Sequence, residues 1–435
     1  MAQVAPAAGT RPWDDPSRMI GVDDARDRIV VAFAPLPAVP LPLDDALGLV
    51  LASPVVADAN LPPFANAAMD GFAVRTADTR QATPDAAVTL RVIGQAAAGY
   101  LTDVEVIAGT AVRIMTGAPI PAGADAVVRF EETDEAETRL SDRVLLSAPA
   151  RRVEIRRAPK PCENVRPAGE DVGAGETVLT TGTRLRAAHL GLLAALGRTS
   201  VAVHRRPRVA ILATGDEIVE PGGELRPGQI RNSNGTMIAA LVRRYGGQPI
   251  VLGVARDTAA DLRQKLRSAC GADLLITIGG VSVGDYDVVK EILRAEGRID
   301  LWQVRLKPGK PLAFGWIGAT PLLGLPGNPV AAAVAFEQFA RPALLTLIGR
   351  TDLDLPTVLA CLADRIENRG GRRHFVRVRV DATATGYVAR LAGAQGAGIL
   401  TSLARANGLL VIPEEVAVAE PDSMLPVQMP DWEGG

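Results

Sequence analysis

Two lysines three residues apart stand in the string Arg305-Leu306-Lys307-Pro308-Gly309-Lys310-Pro311. Two ammonium groups on a proline-stiffened loop make a compact trap for an anion, and alone the string reads equally as a solvated basic turn. A second string, Gly279-Gly280-Val281-Ser282-Val283-Gly284-Asp285-Tyr286-Asp287, joins glycines to a hydroxyl and an acid. Gly279, Gly280 and Gly284 let backbone N–H groups approach a ligand, Ser282 adds a donor, and a following helix N-terminus favours phosphate. By itself this too is an ordinary strand-to-helix turn. Glu217, in Thr214-Gly215-Asp216-Glu217, and Asp287 are acids suited to Mg2+, which takes a few carboxylates and completes its shell with phosphate and water. Each acid would otherwise be a helix cap or a surface charge. Pro326-Gly327-Asn328-Pro329 is a fourth loop of the same kind.

The elements between these strings give them a common place. Val209–Ala213, Ile250–Val254, Leu274–Ile278, Leu301–Val304 and Leu322–Leu325 read as apolar strands. Gly235–Tyr245, Ala259–Cys270 and Asp287–Ala295 read as helices, and a long helix runs over Asn328–Ile348 with Pro329 in its first turn. Such alternation predicts a doubly wound α/β module with a parallel sheet, which binds ligands at the carboxyl ends of its strands. All four strings follow strands, so they converge on one edge, and that convergence favours the chemical reading of each.

The rest of the chain divides around this module. An elongated, more helical N-terminal module covers 17–60 and 167–205, with helices over Val22–Val31, Leu43–Leu51 and Leu185–Leu196. A β domain is inserted at 61–166, with short Val-rich runs at Val88–Ile93, Val104–Ile107, Ala111–Ile114, Ala126–Phe130 and Val144–Leu146. It carries Asn66-Ala67-Ala68-Met69-Asp70-Gly71 and Ile114-Met115-Thr116-Gly117, where Asp70 and Thr116 stand beside turn glycines and read first as ordinary β turns. The α/β module occupies 206–350, and a C-terminal β domain occupies 351–430. In the latter, His374 reads as a strand residue, and Arg372, Arg373, Arg377 and Arg379 combine an anion-binding possibility with an exposed strand face.

Composition narrows the function. A net charge of -2 gives no global basic field for nucleic acid. Three widely spaced cysteines and three histidines offer neither a disulfide framework nor zinc spacing. No run of about 18 uncharged apolar residues and no signal-peptide pattern occurs, so the expectation is no membrane span and a cytoplasmic location.

The ordered strings resemble the molybdopterin molybdenumtransferase family, that of MoeA and the gephyrin E-domain. They are Asn66–Val74, Ile114–Pro119 with 123–127, Gly169-Glu170-Asp171, 214–217, Gly279–Asp287, Lys307–Pro311, Leu325–Pro329 and 402–409, in the family's order. The resemblance implies an elongated homodimer in which the β domain helps close the cleft. It implies insertion of molybdate into adenylylated molybdopterin with release of AMP and use of Mg2+. It also implies the preceding adenylyltransferase and recipient molybdoenzymes as partners. Asp70, Thr116, Glu217, Asp287, Lys307 and Lys310 are then the catalytic candidates, with Glu217 and Asp287 on the metal. Gly279, Gly280, Ser282, Gly284, Arg166, Pro326, Pro329, Arg372 and Ser402 are the substrate-binding candidates. Asn232 stands where several members carry Asp, and Ala397 where Ser is common, leaving Ser402 as the nearby hydroxyl. The alternatives are a paralogue with altered oxyanion use, such as tungstate, and a scaffold. A separate adenylyltransferase is disfavoured by Gly-Gly-Val-Ser at 279–282 and by the added β domains.

Overall fold

The computed structural model describes residues 19–135, 151–280, 295 and 297–431. The strand expected at 144–146, most of the helix expected over 287–295, and the candidates Ser282, Gly284 and Asp287 lie outside the described residues. The chain forms two compact units. The first holds the described residues up to Ser53, Gly182–Arg186 and those from Ser200 onward; the second holds those of Pro54–Thr181 together with Ala187–Thr199.

The first unit contains the α/β body. Its elements are α1 (Val22–Val30), β1 (Arg208–Thr214), α2 (Ser233–Arg244), β2 (Gln248–Ala255), α3 (Ala259–Ser268), β3 (Leu274–Ile278), β4 (Gly297–Gln303), β5 (Pro311–Ile317) and β6 (Thr320–Leu325). Then follow α4 (Pro329–Ala335), a π-helical turn (Phe336–Ala340) and α5 (Arg341–Leu347). The sheet order is β2-β1-β3-β6-β5-β4. The first four strands are parallel, β5 runs antiparallel to β6, and β4 antiparallel to β5. The five expected strands thus share one direction, and β5, which was not among them, enters antiparallel between β6 and β4. Only Gly318 and Ala319 separate the paired residues Ile317 and Thr320, too few for a crossover, so the chain must turn back as a hairpin. Because β4 regains the common direction, the loop after it still opens at the edge where β1, β3 and β6 end.

Helices cover both faces. Ile29, Ile238, Val242, Phe336 and Leu344 bury against Val209, Ile211, Ile276 and Leu323 on one side. Leu262 and Leu266 of α3 bury against Ala210, Leu212 and Leu275 on the other. Residues apolar on both faces explain why these strands read as continuous runs rather than alternating ones. The expected long helix is real but interrupted. Pro342 has no N–H to return to the carbonyl one turn back, and the ladder widens into the π turn just before it. The stretch Pro329–Leu347 is long and apolar enough to cross a membrane, but it is the core helix of this unit, 94% buried. Leu43–Leu51 is not a helix: only a 3-10 turn at Leu43–Asp45 forms. Gly48 adopts φ +77°, and Val50 and Leu51 make β-bridges to Arg184 and Val203 instead.

The C-terminal part consists of β7 (Thr357–Leu362), β8 (Arg373–Thr383), β9 (Gly386–Leu391), α6 (Leu400–Arg405), β10 (Gly408–Ile412) and β11 (Met424–Gln428). β8 pairs with both β9 and β10 at the two ends of the order β8-β9-β7-β11-β10, so the sheet closes on itself. Val376, Val378, Leu410 and Val427 fill its interior. The short strand Leu306–Lys307 pairs in parallel with Arg373–His374 and so fastens the lysine loop to β8.

The second unit holds a five-stranded sheet in the order Ala126–Arg129, Gly71–Val74, Thr110–Ile114, Val88–Ala96, Arg152–Ile155. Phe72, Leu90, Val128, Val153 and Ile155 form its core. Val104–Ile107, expected as a strand, runs irregularly: Val106 donates its N–H to the Ala122 carbonyl, and Ile107 is held locally by Thr110. The helix expected over Leu185–Leu196 spans Ala187–Ala195, where Leu193 is the buried residue.

Candidate functional site

The carboxyl edge of β1, β3 and β6 opens into a cleft of about 940 Å³. Glu217, Gly279, Gly280, Lys310, Pro326 and Pro329 all line it, so these six expected site residues come together. Hydrogen bonds explain how separate loops converge. The Thr214 hydroxyl donates to the Ile278 carbonyl at 3.3 Å, tying the end of β1 to that of β3. The Gly279 N–H donates to the Leu325 carbonyl at 3.0 Å, tying β3 to β6. Asn234 Nδ2 donates to the Gly327 carbonyl at 2.7 Å, drawing the start of α2 to the Pro326–Pro329 loop.

Two glycines in this edge hold positive φ values, and one of them also meets fixed backbone. Gly215 has φ +136°, and a Cβ there would lie 2.5 Å from a carboxylate oxygen of Glu217. Gly279 has φ +88°, and a Cβ would lie 3.0 Å from the Thr214 carbonyl oxygen. Both φ values would strain a larger residue; at Gly215 the Glu217 side chain could move aside, whereas at Gly279 the contact is with fixed backbone.

The acids of the cleft include one that the sequence reading passed over. Asp257 lines it beside Glu217, and its backbone N–H donates to Asp216 Oδ1 at 3.3 Å. Burial, then the charges of Asp216 and Glu217, push the Asp257 carboxyl above its ordinary range. Mutually repelling carboxylates of this sort are a donor set that a divalent cation relieves. Among the described residues no group of three His, Cys, Asp or Glu side chains is already arranged around a metal. The signal for Asp257 was available: it follows β2 at the same edge as the other loops. Arg231, just before α2, and Asn234, in its first turn, also line the cleft; their signal in the sequence is weaker because they lead into a helix rather than follow a strand of the main sheet. Asn232 lines the cleft between them and also caps the helix. Its side chain accepts from the Gly235 N–H at 2.9 Å as the α2 cap and donates to Glu220 at 3.2 Å.

The cationic candidates separate. Lys310 lines the cleft; Lys307 does not, and sits half-buried in the short strand paired with β8. Burial, and then the nearby Arg372, lower the Lys307 pKa. His374, opposite Lys307 in register, is held neutral: burial and the charges of Lys307, Arg377 and Arg372 push it down to about 3. Ser402 is buried outside the cleft lining, and its hydroxyl donates to the Ile399 carbonyl at 2.8 Å while accepting from Arg377 at 3.2 Å. Arg377 and Arg379 lie on the same side of β8 by alternation, yet Arg377 is fully buried and Arg379 exposed. In the second unit, Thr116 donates both its N–H and its hydroxyl to Asp70 Oδ1, at 2.7 and 2.8 Å. Arg166 pairs with Asn66 on a two-residue ladder of the same unit.

Three family models match in order: the MoeA N-terminal region (domain I and II) over residues 20–197, a probable molybdopterin binding domain over 210–346, and the MoeA C-terminal region (domain IV) over 360–423. A molybdopterin molybdenumtransferase 2 of Mycobacterium tuberculosis is 40% identical over 394 residues, covering 89% of this chain and 94% of the relative. The chain belongs to the MoeA family of molybdopterin molybdenumtransferases. A molybdopterin molybdenumtransferase of Staphylococcus epidermidis is 34% identical over 396 residues, covering 91% of both chains. The crystal structure of a MoeA protein from Pyrococcus horikoshii matches with a TM-score of 0.81 and 30% identity, over 94% of this chain and 99% of that one. Membership makes the chain a transferase of molybdenum cofactor biosynthesis.

Proposed function

We propose that this MoeA-family enzyme binds adenylylated molybdopterin in the cleft, inserts molybdenum from molybdate between the dithiolene sulfurs, and releases AMP. The observation that carries this reading is one cavity holding the acids Glu217 and Asp257, the Gly279–Gly280 turn and Lys310 together. Each part has a task. Backbone N–H groups of the glycine turn suit the pyrophosphate. Lys310, in the cleft wall, suits a molybdate-sized oxyanion. Glu217 and Asp257 would hold Mg2+, with Asp287 as a further candidate. That ion would neutralise charge on the anhydride as it breaks. Asp70 holds Thr116 by two bonds, a preformed polar pair that the family reading also gives to the substrate.

A cytoplasmic homodimer, supplied by an adenylyltransferase and delivering to apo-molybdoenzymes, completes the proposal; its support is the family pattern, and light scattering of the purified protein tests the dimer. The activity is tested by incubating the protein with adenylylated molybdopterin, molybdate and Mg2+ and measuring AMP. Molybdate-dependent release is expected, and its absence would overturn the reading.

A further inference from the structure

Arg377 lies in β8, fully buried, with no carboxylate beside it among the described residues. Its guanidinium instead spans a single segment. Nε donates to Ser402 Oγ at 3.2 Å, and Nη2 donates to the carbonyls of Ala394 and Gly396 at 3.3 and 3.1 Å. The backbone of Arg377 is gripped by the same segment: its N–H donates to Gln395 Oε1 at 3.0 Å, and Gln395 Nε2 returns a bond to its carbonyl at 3.0 Å. Nη1 makes no hydrogen bond. A buried cation without an acid is costly, and burial alone lowers the Arg377 pKa to about 10. If packing were its only task, an apolar side chain would fill the place at less cost.

The segment it grips explains the charge. Residues 393–398 carry three glycines, so this stretch has little stiffness of its own. Yet Ala397, Gly398 and Leu400 form part of the cleft wall, and the Ala397 carbonyl accepts the N–H of Val330 in the first turn of α4 at 3.1 Å. A planar guanidinium fork can fix three acceptors at once, which an ammonium cannot. We propose that Arg377 is a positioning residue for the transfer reaction: through Ser402 and the carbonyls of 394 and 396 it fixes the 394–402 wall of the cleft, and so the seat of the oxyanion. It touches no substrate itself. The inference rests on the cleft reading above and adds to it the device that holds one wall.

The test uses Arg377→Lys, Arg377→Ala and Ser402→Ala in the full chain, with AMP release followed against molybdate concentration and amide hydrogen exchange followed over 394–402. Arg377→Lys keeps the charge but not the fork, and is expected to raise KM for molybdate about tenfold or more with a smaller change in kcat. Exchange over 394–402 should rise in step. In Arg377→Ala, added guanidinium should restore KM toward the wild-type value, which a purely structural loss would not allow. Should Arg377→Ala fail to fold, Ser402→Ala carries the same expectation at smaller size. Unchanged KM in both Arg377→Lys and Ser402→Ala would overturn the inference, as would exchange over 394–402 that does not differ from wild type. Wild-type protein without molybdate-dependent AMP release would instead overturn the cleft reading on which it rests.

Discussion

The backbone N–H of Asp257 donates to Oδ1 of Asp216 at 3.3 Å, joining the loops that end β2 and β1. This contact brings the Asp257 carboxyl into the field of Asp216 and Glu217, which together with burial raises its pKa. The sign follows: the protonated form is favoured by folding, so its stabilising contribution is present at low pH and is lost as pH rises through the raised value. Asp257→Asn should therefore slightly raise the melting temperature at neutral pH without Mg2+. If the acid shares a metal with the anhydride, the same change should lower kcat by about 100-fold or more. Thermal melts and AMP assays on one preparation check both; a stabilised variant with full turnover would leave Asp257 as a structural acid.

The two lysines of the anion loop should not be equal. Lys310 lines the cleft and Lys307 does not. Lys310→Ala should cost about 1.5–3 kcal/mol of molybdate or substrate binding, the range for a lost charged donor. Lys307→Ala should cost less, acting through the ladder to β8. Calorimetric titration of both variants decides it, and equal affinities in Lys310→Ala and wild type would remove the loop from the site.

A pH dependence of stability is expected from the core helix. Glu337 lies in the π turn and accepts the Tyr245 hydroxyl at 2.9 and 3.1 Å on its two oxygens. Burial raises its pKa to about 7, against smaller lowering effects of Tyr245, Arg341 and Arg244. A raised carboxyl contributes stability below its unfolded pKa and loses it as pH climbs through about 7. Glu337→Gln should thus gain on wild type by on the order of 1–3 kcal/mol between mildly acidic and mildly alkaline conditions. Denaturant titrations at both ends measure this, and a difference independent of pH would contradict it.

Asn232 should matter as a cap. Asn232→Ala frees the Gly235 N–H at the start of α2 and should destabilise the protein by about 1 kcal/mol. It should also weaken substrate binding modestly, since Asn232 lines the cleft together with Arg231 and Asn234. A loss of stability with unchanged binding would show that the start of α2 is held by Asn234 and Gly327 alone.

How far the sequence carried this reading depends on whether the signal was local. The cleft edge was legible because glycines, acids and lysines each follow an apolar strand, and strand direction sends all those ends one way. β5 was not legible as a strand, because Pro311 and Gly315 break up its short apolar run. Leu43–Leu51 carried helix-start acids, but a left-handed Gly48 and long-range bridges prevailed over local preference. Arg377 escaped because alternation along a strand assigns a face, while its burial comes from a segment about twenty residues further along the chain. Ser402 was read as an available hydroxyl, yet that same arginine and the Ile399 carbonyl occupy it.

The most direct test compares AMP release from adenylylated molybdopterin by wild type and Glu217→Gln across a Mg2+ titration, with substrate binding measured separately. The account predicts molybdate- and Mg2+-dependent release by wild type, and bound but unconverted substrate in Glu217→Gln. Wild-type turnover in the variant at every Mg2+ concentration would contradict it.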